Sequence, residues 1–168
     1  ASVSLSETGG SHSHSEAKAL SCDFGQGACL DDSLFFNPWS ITRMRWDSSS
    51  ERFTFLYNQR GHQVLRVVAV SVPDGRVSAL IDEQSATFID YAYKHAYYFM
   101  EERKEILWMS ERDGWNHLYL LDAQTGQLKR QLTQGEWVVR RIREVNEEKG
   151  HVWFEASGLD AHQDPYYI

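Results

Sequence analysis

The sequence predicts an all-β protein built of β-propeller blades, antiparallel four-stranded sheets of which about two and a half to three are present. The first observation behind this is Glu105 to Gly126, EILWMSERDGWNHLYLLDAQTG. It reads as a hairpin: Ile106 to Met109 is an apolar run of strand length, Asp113-Gly114 the turn, Leu118 to Leu121 the return, and Gly126 closes the next turn. The second is recurrence. Arg52 to Gly75 repeats that layout, with Gly61 standing 53 positions before Gly114 and Gly75 standing 51 before Gly126. A third copy begins at His151-Val152-Trp153-Phe154, where Trp153 follows Trp108 by 45 positions. The third is composition: 13% aromatic residues suit strands, whose pleated faces pack rings. Short strands repeating every ~45 to 50 residues are the signature of propeller blades. A β-sandwich with coincidental spacing is the alternative.

Residues 1–35 carry little periodicity and many small polar side chains, and read as a flexible or irregular arm; residues 36–168 form the partial propeller. Pro38 marks the boundary. Ile41 to Trp46 alternates imperfectly, as an edge or half-buried strand does. Arg52 to Tyr57, Gln63 to Val70 and Val77 to Ile81 complete the first sheet. Thr87 to Phe99 is dense in Phe and Tyr without Gly or Pro, so strand is favoured over a short helix. Its rings read as core and inter-blade packing, or else as the lining of a ligand channel. Gln127 to Leu132 is the outer strand of the second sheet, and Gly135-Glu136-Trp137 turns into the next. Val138 to Val145 carries Arg140, Arg141 and Arg143, read as a solvated strand face rather than an anion site. His151 to Ala156 opens a sheet whose remaining strands are incomplete, which leads to the expectation of a piece of a larger protein.

Composition excludes several classes. A formal charge of −7 disfavours binding to a phosphate backbone, so no nucleic acid is expected. No apolar run is long enough for a membrane span. Cys22 and Cys29 fit a local disulfide, free thiols or half a metal site. His12 and His14 lack a fixed third ligand, so neither a metal nor a cofactor is assigned. A metal-dependent enzyme would need a convergent His, Asp and Glu set that the sequence does not display.

The segments YNQRGHQVLRVVAV, IDEQSATFIDY, ILWMSERDGWNHLYLLDAQTG, QLTQGEWVVR and WFEASGLDAHQDPYYI, in that order, resemble the N-terminal β-propeller region of the dipeptidyl peptidase IV family, bacterial members most closely. These are serine peptidases of the prolyl-oligopeptidase type. The resemblance runs from about Ile41 to Ile168, and its most specific part is SERDGWNHLYL followed by Thr133-x-Gly135-x-Trp137. It implies a two-part enzyme in the periplasm or secreted. The propeller gates and positions peptide substrates, and a C-terminal α/β-hydrolase domain carries Ser, Asp and His. No G-x-S-x-G elbow occurs in this chain, so the chain itself is expected to be non-catalytic and no catalytic residue is assigned.

The family holds the substrate's amine with paired glutamates, and Glu101-Glu102 looks similar. The pair falls, however, where the other repeats have Ser49-Ser50 and Glu147-Glu148, in the polar turn before a hairpin strand. It is therefore read as a solvated turn, and substrate-binding residues remain unassigned. Ser110, Glu111, Arg112 and Asp113 are expected to satisfy turn backbone groups and each other, Asn116 and His117 to bond neighbouring strands, and Trp115 to pack between blades; direct contact with substrate is the alternative. The alternative function is a stand-alone β-propeller module binding proteins or small ligands. Open blade edges also make self-association an expectation.

Overall fold

The computed structural model describes Leu34, residues 36–160 and His162, and among these residues there are ten strands and no α-helix. The chain divides into two compact units, Ala1–Ala86 and Thr87–Ile168.

The first unit holds one antiparallel sheet of β1 (Pro38–Trp46), β2 (Arg52–Gln59), β3 (Val64–Ser71) and β4 (Val77–Gln84), paired in that order. Pro38 starts the edge strand, where a missing N–H costs the ladder nothing. Between β1 and β2 the Asp47 carboxylate accepts hydrogen bonds from Glu51 N–H and Arg52 N–H, both at 3.2 Å, which fixes the turn. Between β2 and β3 the chain reverses through Gly61 and His62, both at positive φ (99° and 57°). β1 is exposed along most of its length and its pairing slips between Thr42 and Arg45, where Arg43 takes φ 51°. β2 and β3 supply the buried Phe55, Tyr57 and Val68, packed with Phe53, Val64, Val70 and Val77.

The second unit holds the sheet β5 (Tyr97–Met100), β6 (Glu105–Ser110), β7 (His117–Asp122) and β8 (Leu128–Gln131), together with the hairpin of β9 (Val138–Asn146) and β10 (His151–Ser157). All six residues of β6 are buried, as a continuous apolar run predicts for a strand covered on both faces. One core joins sheet and hairpin: Met100, Leu107, Met109, Leu118 and Leu120 meet Val139 and Ile142, flanked by Val145, Val152 and Phe154.

One expectation fails here. Thr87 to Ala96 is loop and turn, and strand begins only at Tyr97. The cause is Asp90, whose Oδ1 accepts from Ala92 N–H at 3.2 Å and Tyr93 N–H at 3.0 Å, while its carbonyl accepts from Lys94 N–H at 3.1 Å. This local closure overrides the strand propensity of the surrounding rings. Tyr93 is left 82% exposed and Phe88 52%, whereas Tyr97 is buried and packs edge-on against Trp108. The positions of His12, His14, Cys22 and Cys29, and most of the arm, lie outside the described residues.

Candidate functional site

The most specific of the resemblance motifs, SERDGWNHLYL with Thr133-x-Gly135-x-Trp137, gathers at one end of the second sheet. Its centre is His117, which has no solvent exposure. Its Nε2 lies 2.9 Å from the Gly135 carbonyl and its Nδ1 lies 3.0 Å from Thr133 Oγ1. A carbonyl can only accept, so Nε2 carries a proton and donates to it; Thr133 Oγ1, paired with Nδ1, also takes Leu118 N–H at 2.9 Å. Both ring nitrogens are thereby engaged, and neither is free to serve as a general base. Trp137 covers the imidazole edge-on at 4.9 Å between ring centres and stacks on Phe154 of β10 at 6.2 Å. Thr133, Gly135 and Trp137 thus form a corner that carries the chain from β8 to β9. Gly135 is required there: its φ is 123°, and a β-carbon would sit 2.7 Å from Trp137 Nε1.

Asn116, also without exposure, acts as a short piece of strand. Its carbonyl accepts Val139 N–H at 2.8 Å and its side-chain amide donates to Val139 O at 2.7 Å, joining β7 to β9. The preceding turn is held by its own side chains, as expected from its residue types. Ser110 Oγ accepts from Arg112 N–H and Nε, both at 3.1 Å, and Asp113 Oδ1 accepts Trp115 N–H at 3.1 Å. Gln131 donates to Asp113 Oδ2 at 2.5 Å, and Lys94 pairs with Glu111 at 2.7 Å. Burial tends to raise the Asp113 carboxyl, but the Trp115 and Gln131 hydrogen bonds outweigh it and hold it below the ordinary value. Trp115 is a correction. The ring is 41% exposed, and the indole that packs at this corner is Trp137. Nothing in residue type separates the two; the direction of each side chain does.

At the opposite end are the turns Glu101 to Lys104, Ala123 to Gln127 and Glu147 to Gly150. Glu101-Glu102 is exposed, consistent with a solvated turn. It shares an open depression with Glu147-Glu148, Val145 and Asn146, a convergence of two repeats that spacing alone did not reveal. The arginines of β9 find partners on the hairpin. Arg143 pairs with Glu155, Arg141 Nε lies 3.6 Å from the same carboxylate, and Arg140 Nε donates to Ser157 Oγ at 2.9 Å. Among the described residues no group of three or more His, Cys, Asp or Glu is arranged to hold a metal ion.

Two four-stranded antiparallel sheets, each paired in chain order, followed by a two-stranded hairpin, place the chain in the β-propeller class. Residues 28–168 match the family model for the dipeptidyl peptidase IV (DPP IV) N-terminal region, and the chain belongs to that family. The match begins upstream of Ile41, where the sequence resemblance starts. Among solved structures, the chain is similar to the crystal structure of Porphyromonas gingivalis dipeptidyl peptidase 4, with TM-score 0.60 and 20% identity over 71% of this chain and 16% of that one. It is also similar to a Bacteroides ovatus ATCC 8483 protein assigned as a dipeptidyl aminopeptidase IV, with TM-score 0.54 and 20% identity over 70% of this chain and 19% of that one. The matched part of the chain therefore spans under a fifth of either neighbour's length.

Proposed function

We propose that this chain is a non-catalytic propeller portion of a dipeptidyl-peptidase-IV-like serine peptidase. It gates and positions peptide substrates for a C-terminal α/β-hydrolase domain in the parent polypeptide, which acts in the periplasm or outside the cell. The family match over residues 28–168 carries this reading. The chemistry of the described residues agrees with a division of labour: the one fully buried histidine has both nitrogens spent on Thr133 and Gly135, and the motif residues around it hold backbone.

The test is a peptidase assay of the parent gene product beside the 168-residue chain, with an aminoacyl-prolyl chromogenic dipeptide as substrate. Hydrolysis by the parent, abolished by a serine-directed inhibitor and absent from the shorter chain, is the expected result. Silence from both overturns the peptidase reading in favour of a binding module.

A further inference from the structure

Where the second sheet meets the β9–β10 hairpin, a cavity of about 50 Å³ has two kinds of wall. Aliphatic side chains, among them Leu107, Leu120 and Val152, form one; Arg103, Glu105, Arg130, Asn146 and His151 form the other. Glu105 is the only acid in this lining, and it is only 6% exposed. Both its oxygens are occupied: Oε1 accepts from Lys129 Nζ at 2.5 Å and Oε2 from Arg103 Nε at 3.0 Å. Asn146 Oδ1 is likewise taken, by Lys149 N–H at 2.9 Å.

The donors are not exhausted. Among the described residues, the two terminal nitrogens of Arg103, the guanidinium of Arg130 and the side-chain amide of Asn146 make no hydrogen bond or ion pair. Arg103, although 43% exposed, lies beside the β9–β10 turn, its Nη1 3.4 Å from where a β-carbon on Gly150 would be. The cavity thus combines a spent carboxylate, a surplus of cationic donors, an aliphatic wall and room for roughly four water-sized groups.

We infer that this cavity is a binding site for a small aliphatic monocarboxylate, of about the size of acetate to propionate. Guanidinium groups match a carboxylate's two oxygens, and the aliphatic wall takes its short tail. Glu101, Glu102, Glu147 and Glu148 lie around the neighbouring depression, which shares Val145 and Asn146 with the cavity. They oppose long-range attraction of anions, so affinity rests on direct contact. For a ligand of about five heavy atoms the dissociation constant is on the order of 1 mM.

The test is an amide NMR titration of the 168-residue chain with sodium propionate, run beside sodium chloride and the uncharged isostere propionamide. Propionate alone should give saturable shifts at the amides of Gly150, His151 and Val152. Arg130→Gln should weaken that binding about tenfold, one charge-assisted contact being lost. Arg76→Gln, an equal change of charge in the other unit, should leave it unaltered. Shifts with propionate no larger than those with chloride, or an Arg130→Gln chain that titrates like the wild type, overturn the site.

Discussion

The two ends of the second sheet use polar residues in opposite ways. At the motif end, Asn116 and His117 are completely buried and every hydrogen bond described for them is to backbone or to Thr133. At the other end, Glu101, Glu102 and Glu148 face solvent, and the residue that organises the turns is Asp122, which takes Thr125 N–H at 2.8 Å and Gln124 N–H at 2.9 Å. The first end is expensive to alter because a buried donor or acceptor left unpaired loses water as well as its partner. The exposed glutamates of the second are cheap, since water replaces whatever is removed. A string of polar residues such as SERDGWNH therefore need not mark a contact with substrate: in this one Asn116 and His117 tie the sheet to the corner and hairpin that follow, and Ser110 and Asp113 hold the turn itself.

Substitutions can break that contrast, and the largest effect is expected at Gly135. Gly135→Ala imposes a β-carbon on a φ of 123° and on Trp137, and should cost about 3 kcal/mol in denaturant unfolding. His117→Ala comes next at about 2 to 3 kcal/mol, since it leaves a hole and orphans the Gly135 carbonyl. Asn116→Ala should cost about 2 kcal/mol through the lost bond to Val139. At the far end, Glu101→Gln with Glu102→Gln should stay within about 0.5 kcal/mol. A change there as large as that of Asn116→Ala would erase the distinction between the ends.

Acid sharpens the same comparison. Glu105 is pulled up by burial, yet the hydrogen bonds from Lys129 and Arg103 prevail and place its carboxyl below the ordinary 4.5. Asp122 is held below 3.8 by the Thr125 and Gln124 amides. A folded-state value below the unfolded one means stability that is present above the unfolded value and lost as pH falls through the folded one. Unfolding measured from pH 6 downward should therefore show stability falling below about pH 4.5, and Glu105→Gln should flatten the upper part of that fall.

Much of this architecture is legible in the sequence because its signals are local. Asp113-Gly114 and the positive-φ Gly61 mark hairpins at the tips of apolar strands, and Ile106 to Met109 announces a buried strand by its continuity. The failures have particular causes. Between Thr87 and Ala96 a single carboxylate, Asp90, closes the backbone on itself and defeats the β propensity of Phe88, Tyr91 and Tyr93. For Trp115 and Trp137 the sequence offers two indoles near one corner and no means of telling which points inward. The meeting of Glu101-Glu102 with Glu147-Glu148, and of Arg141 and Arg143 with Glu155, depends on how strands are brought together in space. The candidate cavity was illegible for the same reason, its lining coming from six strands and the segments between them.

That the buried part of the motif holds the sheet is tested most directly by one pair of unfolding curves, for His117→Ala and Trp115→Ala. The buried, doubly bonded histidine should lose about 2 to 3 kcal/mol, and the exposed indole under about 1 kcal/mol. Equal losses, or a larger loss at Trp115, would contradict the account.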